Sequence, residues 1–267
     1  MTDIIPMNGI VGVFDILGYQ SFLENNEPEQ AAREVLGTLS RVDQSVIDSV
    51  AEKLPGFKHH KPLLESIRWL IFSDTILITT GAVEVEIPSK QLLRWLIFLR
   101  ICAELQLHMF QFGLPCRAAI SIGKFLVIQN CFAGRSIVDA YGLAKHIDLA
   151  AAILSNEAGE LFRSLLSTVR EGKHPPVFDE LVVDYLVPFK GGQEKRFATL
   201  NYLQFMQRES EDTSSLQNDL VQMVYRSFWG HNKEIPSDAS RKAKNTEQYF
   251  RFLKCRFPDS FAGASSW

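Results

Sequence analysis

Residues 67–80 read IRWLIFSDTILITT: two runs rich in β-branched and aromatic residues, Ile67 to Phe72 and Thr75 to Thr80, separated only by Ser73-Asp74. So short a junction leaves no room for a crossover, so the runs pair as an antiparallel hairpin. Upstream, Gly9 to Asp15 (GIVGVFD) is a short strand ending on a carboxylate, and Gly18 follows it. From about Glu29 to Leu54, Val35, Leu39, Val42, Val46 and Val50 recur at helical spacing. Pro55-Gly56 breaks that helix, and the polar KHHKP stretch ending at Pro62 reads as a loop. Downstream, Pro88 opens a long helix through the apolar segment Leu92 to Leu114, closed by Gly113 and Pro115. Cys116 to Gly123 (CRAAISIG) alternates as a strand, with Phe125 to Ile128 continuing beyond a turn. A helix from about Ser136 to Asn156 follows, then two last strands, Leu181 to Val187 and Arg196 to Tyr202, around Gly191-Gly192. The remainder is helical, notably Leu216 to Phe228 and Ala239 to Phe257, after a polar SEDTSS segment. The first part has the order βαββαβ, which predicts a ferredoxin-like α+β domain with an antiparallel sheet and helices on one face. That domain is expected over residues 1–203, with a helical extension packed on it over 204–267.

Composition limits the classes that need weighing. Of 267 residues, 46% are hydrophobic and 22% charged, enough apolar material for a packed core. Lys+Arg total 28 against Asp+Glu 31, a net charge of -3, which argues against a nucleic-acid partner. The four cysteines form no CxxC pair, so neither a structural zinc site nor a disulfide framework is expected. The N-terminus has no basic-then-apolar run of a secretory signal. Arg94, Arg100, Glu104 and His108 interrupt the most apolar segment, so it reads as a core helix and not a membrane span. A soluble, cytoplasmic protein is the expectation.

The chemistry centres on two carboxylates. Asp15 ends an apolar strand and Asp74 sits at the tip of the hairpin; taken singly, each is an ordinary turn or cap residue. In a ferredoxin-like sheet, however, the first strand lies beside the central hairpin, which brings the two together. Magnesium commonly uses one or two carboxylates plus substrate phosphates, so the pair fits a divalent-metal site. Gly18, at a strand-to-helix junction, lets backbone approach phosphate, although most such glycines only make turns. Lys190 precedes Gly191-Gly192 and is either a solvated turn lysine or a point-charge phosphate ligand. Arg117, opening the CRAAISIG strand, is either a salt-bridge or a phosphate residue.

In combination and in order, these residues resemble the class III nucleotidyl cyclases, and most closely the compact bacterial Pycsar pyrimidine cyclases of antiphage defence. The class pattern F-x-D-I-x-G-[FY] is similar to Phe14-Asp15-Ile16-Leu17-Gly18-Tyr19, which lacks the residue after Phe. The second metal carboxylate of the class, in G-D or S-D, corresponds to Ser73-Asp74; R-x-A-I-S-x-G is matched by Arg117 to Gly123; and V-x-K-G-x-G-E resembles Val187 to Glu194. The matches run from about residue 9 to 202. Purine cyclases carry a base-selecting Lys or Glu where this chain has Leu70, beside Trp69, and an N-x-x-x-R pair where it has Gly142 and His146. Gly134 to Tyr141 instead resembles the G-x-x-[LI]-V-x-A-Y helix start of the pyrimidine branch.

The resemblance implies conversion of UTP to 3',5'-cyclic UMP and pyrophosphate, with CTP as the alternative substrate. It implies two Mn2+ or Mg2+ ions per active site, held by Asp15, Asp74 and the Ile16 carbonyl. The backbone at Leu17, Gly18 and Tyr19, with Lys190, would hold the substrate phosphates, and Arg117 or Arg135 would stabilise the transition state. Trp69, Leu70 and Tyr141 are the base-selecting candidates. A homodimer with composite sites is implied, one subunit giving Asp15 and Asp74 and the other Lys190 and the helix from Ser136. The downstream effector would be reached through the cyclic product and not by stable binding. Two rivals stand beside this reading: a catalytically silent cyclase-like nucleotide sensor, and an unrelated α+β interaction module whose aspartates are turn residues.

Overall fold

Strand β1 (Met7–Ile16) is central because both its edges are paired, antiparallel to β3 (Thr75–Thr79) on one side and to β4 (Cys116–Ile128) on the other. The computed structural model describes residues 7–53, 57–80, 87–128, 131–170, 180–205, 216–233 and 237–258. The hairpin forms as read: β2 (Arg68–Phe72) pairs with β3 around Ser73-Asp74. The sheet order is β2-β3-β1-β4-β6-β8-β7, with β6 at Ala152–Leu154, β7 at Val182–Pro188 and β8 at Glu194–Leu200. A short β5 (Cys131–Ala133) folds back on the end of β4. The block β2-β3-β1-β4, antiparallel throughout, is the ferredoxin-like α+β core that the βαββαβ order predicts.

Alternation along β1 sorts its side chains between two faces. Ile10, Phe14 and Ile16 join the main core. Gly12 lies on the same side, where an added Cβ would come 3.4 Å from Phe98 and 3.6 Å from Cys102 of helix α4 (Pro88–Gln111). Val11 and Val13 face the other way, into a second cluster with Leu77, Phe125 and Ala140 of α5 (Arg135–His146). Helices therefore cover both faces of the sheet, not one as expected from the βαββαβ order. Helices α1 (Tyr19–Asn25), α2 (Val42–Lys53), α3 (Phe57–Glu65) and α6 (Asn156–Arg170) complete the domain. The chain ends its described part in α7 (Leu216–Trp229) and α8 (Ser237–Arg256).

Four further sequence expectations change. The helix read from Glu29 is interrupted: a π-helical turn at Ala32–Leu36 and a break at Ser40-Arg41 precede α2. The KHHKP stretch is helical within α3, Pro62 included, because Leu63 and Leu64 pack on the core and hold the helix that the proline weakens. Residues 116–128 form one strand without a turn; Gly123, at φ 144, carries it through opposite Gly9. The helix from Ser136 stops at His146, and the end of the buried apolar run Leu149 to Leu154 forms the parallel strand β6 before α6 begins. Such a continuous apolar run satisfies helix and buried strand equally. The Pro55-Gly56 break and the SEDTSS segment lie outside the described residues.

Charges within α4 explain its burial. Arg100 donates to Glu104 at 3.0 Å, Ser49 donates to Glu104 at 2.6 Å, and the guanidinium stacks 3.4 Å from the Phe205 ring centroid. These neighbours offset the charge of the buried pair, while Arg100 Nε has no hydrogen-bond partner among the described residues. Among the described residues, no helix is long and apolar enough to cross a membrane, and all four cysteines are free.

The C-terminal helices share the main core. Tyr249, Phe250 and Leu253 of α8 and Phe228 of α7 are buried in it, and the Phe250 ring lies 5.2 Å from Phe110 of α4. The Tyr249 hydroxyl donates to Leu200 O and that of Tyr202 to Ala150 O, each at 2.9 Å. Phe250→Ala should therefore lower stability by about 3–5 kcal/mol in one cooperative urea transition. A separate early transition, with the main midpoint unmoved, would show that α7 and α8 fold apart from the sheet.

Candidate functional site

Sheet register alone brings the two aspartates together. Asp15, near the C-terminal end of β1, pairs with Thr75, the residue after Asp74, and the Ile16 amide donates to Asp74 O at 2.8 Å. Asp15 points to the Val11 and Val13 side, towards α5, and only 6% of it is exposed. Its other cross-strand partner is Arg117, whose Nε donates to Asp15 Oδ2 at 2.6 Å and whose Nη1 reaches Ile147 O at 3.4 Å. Asp74 is half-buried and accepts a hydrogen bond from Thr75 Oγ1 at 3.3 Å.

Both aspartates, Ile16, Arg117 and Lys190 line one cavity of about 580 Å³, within the usual size of a ligand site. The loop after β1 forms part of its wall. Gly18 holds a left-handed φ of 76, and a Cβ there would meet Lys233 Cδ at 3.1 Å, so glycine suits both the backbone and the space. The Leu17 amide donates to Pro115 O at 2.8 Å, which removes it from the expected phosphate-binding set. Tyr19 is buried; desolvation, and then the Asp74 charge, push its phenol pKa upwards.

The remaining expected residues divide. Leu70 lies on the Asp15 face, against the second cluster. Trp69 packs against the main core on the opposite face, with its indole nitrogen buried, so within one chain it cannot stack on a base held beside Asp15. Arg135 opens α5 with its side chain 93% exposed and pairs with Asp139 at 3.6 Å. It does not line the cavity, whereas Arg117 does. Tyr141 is exposed on α5, with Lys145 Nζ 4.3 Å from its ring centroid. Lys190, expected from a second subunit, reaches the same cavity as Asp15 within one chain, because its amide donates to His146 O at 2.8 Å.

Sequence motifs missed three lysines of this cavity: Lys145, Lys233 and Lys242. Lys145 was within reach, one helical turn after Tyr141. Lys233 and Lys242 carry no local signal, since only packing of α7 and α8 brings them here. Lys145 is held above its ordinary pKa, chiefly by its hydrogen bond to Tyr141, with Asp15 and Asp74 adding to the effect. Lys190 is held below, first by desolvation and then by Arg117 and Lys242. Lys233 is buried and donates to Gly113 O at 2.6 Å and Ser227 O at 2.7 Å; desolvation lowers its pKa to about 8.

The donor set suits a hard divalent cation. Two adjacent carboxylates at a water-accessible edge leave further positions for substrate oxygens, as magnesium requires. Among the described residues there is no cluster of three or more His, Cys, Asp or Glu, which disfavours a closed structural site. An entering ion would compete with Arg117 for Asp15 Oδ2.

No protein-family model and no curated protein sequence matches the chain. Solved structures similar to it include several cyclases and a class III adenylyl cyclase-like ATP-binding protein from Pseudomonas aeruginosa (11% identical, TM-score 0.41, over 60% of this chain and 36% of that one). The adenylyl cyclase CyaB from P. aeruginosa is 13% identical with a TM-score of 0.46, over 78% of this chain and 98% of that one. The guanylyl cyclase Cya2 is 16% identical with a TM-score of 0.40, over 74% and 91%. A bacterial light-regulated adenylyl cyclase is 10% identical with a TM-score of 0.46, over 84% and 59%. At such values the functional reading has to stand on this chain's own residues.

The Lys233 amine gives a pH signature. Its folded pKa is depressed, so between about 8 and the ordinary 10.5 the unfolded chain binds more protons, and stability from this group rises with pH across that window. Urea denaturation of wild type and Lys233→Met at pH 7 to 10.5 should show the wild type gaining on the variant above pH 8. A constant difference would mean that the amine stays charged in the fold.

Proposed function

We propose that the protein is a metal-dependent nucleotidyl cyclase that converts UTP to 3',5'-cyclic UMP and pyrophosphate. The observation that carries this reading is the meeting of Asp15 and Asp74 with Arg117 and Lys190 in one cavity: carboxylates for metal beside cations for phosphate. Uridylate as the product, and a signalling role in antiphage defence through a cyclic-nucleotide effector, follow from the resemblance to the Pycsar branch. So does the departure from the purine pattern at Leu70, Gly142 and His146.

In the reaction the ribose O3'–Pα bond forms, the bond from Pα to the bridging oxygen breaks, pyrophosphate leaves, and the hydroxyl proton passes to solvent. Mg2+ or Mn2+ at Asp15 and Asp74, two per site in this reading, would lower the pKa of the 3'-hydroxyl and neutralise phosphate charge. The chain's own residues orient and compensate. Lys190 faces the phosphate tail, and Gly18 gives it close access to backbone. Arg117, once released from Asp15, opposes charge growing at the α-phosphate. Tyr141 and Leu70 remain the base-facing candidates. Exposed Phe72, Val138 and Tyr141 offer an apolar surface for a homodimer, in which the partner would supply contacts to the base.

The Arg117–Asp15 ion pair also favours a second reading, a silent nucleotide-binding domain in which the arginine never yields the carboxylate. Purified protein with each of UTP, CTP, ATP and GTP plus Mn2+, products identified by mass spectrometry, separates the two. Cyclic UMP is expected, with a loss of at least about 100-fold in Asp74→Ala; nucleotide binding without any cyclic product would support the silent domain, and cyclic CMP would reassign the base. Because Asp15 and Lys190 share a cavity within one chain, mixing Asp15→Ala and Lys190→Ala subunits should restore no activity. Recovery would place Lys190 in the partner's site.

A further inference from the structure

We propose that Asp148 is a positioning residue for this site: held by Arg241 and Asn245 of α8, it fixes the carbonyls of His146 and Ile147, which in turn hold Lys190 and Arg117 at the cavity. The inference rests on the nucleotide reading above and extends it to a carboxylate that does not itself line the cavity. Asp148 is 2% exposed, just past the end of α5. Arg241 donates to its carboxylate through Nε and, at 3.3 Å, through Nη2, so both oxygens are engaged. Asn245 Nδ2 donates to Asp148 O at 2.7 Å and reaches Oδ2 at 3.4 Å. The Ala150 amide donates to Thr246 Oγ1 at 2.9 Å. Residues 148–150 are thus tied to α8 by side chain and backbone alike.

The other side of the same segment carries the site. The Lys190 amide donates to His146 O at 2.8 Å, the Asp148 amide donates to Pro188 O at 2.9 Å, and Ile147 bridges Phe189 between them. That short ladder sets where the turn bearing Lys190 leaves β7. Arg117 Nη1 reaches Ile147 O at 3.4 Å while its Nε is on Asp15. Once Asp15 lets Nε go, Ile147 O still holds the guanidinium, so the place of that carbonyl decides where Arg117 points. Attachment of α8 does not depend on Asp148, because Tyr249, Phe250 and Leu253 already bury the helix in the main core. A buried ion pair also returns little net stability after desolvation. What it supplies is direction, since a two-point guanidinium–carboxylate contact sets orientation as well as distance. Desolvation, Arg117 and Lys242 depress the Lys190 pKa, and the charges of Asp15 and Asp148 oppose them, so Asp148 is felt at Lys190 directly.

Titration calorimetry with 3'-deoxy-UTP and Mn2+ reads the site without turnover, since this nucleotide lacks the attacking hydroxyl. Asp148→Asn and Arg241→Met should each weaken binding about 5- to 20-fold, and Arg241→Lys should recover part of the loss. Lys190→Gln should also weaken it, and adding Asp148→Asn to Lys190→Gln should cost little more, because one residue acts through the other. Losses that multiply in the double variant, or wild-type affinity in Asp148→Asn, overturn the proposal. Tyr249→Phe, which removes the hydrogen bond from α8 to Leu200 O and leaves residues 146–150 untouched, is the control for docking. It should lower the melting temperature and bind as wild type; affinity that falls with melting temperature in every variant would make Asp148 an anchor for the helix and nothing more. With UTP, Asp148→Asn should lower kcat at least about 10-fold as well as raise KM, whereas Lys190→Gln should act mainly on KM. If Asp148→Asn cyclises UTP with wild-type kcat and KM, the positioning role falls and the cyclase stands. Coupled binding of 3'-deoxy-UTP by a protein that makes no cyclic nucleotide sinks the cyclase and keeps the positioning role. No binding of 3'-deoxy-UTP by wild type overturns both.

Discussion

A carboxylate buried near the end of a central strand must be compensated, and the arrangement of the site follows from how Asp15 meets that demand. Its strand is paired on both edges, so one neighbour supplies Arg117 in register and the other supplies the Asp74 turn. Neither contact depends on a loop finding its place. Any shift of one residue between β1 and either partner would turn Asp15, Val11 and Val13 to the wrong face and empty the second cluster. The hydrophobic pattern that holds the sheet in register therefore also fixes the chemistry at its edge.

The parts of the molecule that were legible in the sequence are those governed by neighbours along the chain. A two-residue junction between β-branched runs forces a hairpin whatever surrounds it, and the alternation around Arg117 to Gly123 marks a strand on its own. From there Asp15 and Asp74 could be placed side by side. Residues 149–154 show the limit: an all-apolar run has no period to distinguish helix from buried strand, and only pairing with β4 decides it. Trp69 shows another. Its neighbour Leu70 lies on the site's face and Trp69 does not, a difference of one residue that proximity in sequence hides. The tail lysines were invisible for a third reason, since their position is a product of tertiary docking around Asp148.

That docking changes what the C-terminal helices are. Aromatic residues of α7 and α8 enter the same core as the sheet, and the turn between the helices is tied to the start of the chain by Asn26, which donates to His231 O at 2.7 Å. Lys233 performs a related task beside Gly18, filling the space that a side chain on that residue would take. The extension expected only to pack on the domain also forms a wall of the cavity.

Asn26 and His231 are 205 residues apart, and the cavity's first wall is made long before its last. During synthesis, β1 to β4 can pair while α8 is still inside the ribosome, with the buried faces of β8 and α4 awaiting their cover. Closing contacts of such span is slow compared with forming hairpins or helices. The nascent chain therefore holds its carboxylate pair before Lys233 and Lys242 arrive, and the cavity gains its full lining only with the final stage of folding.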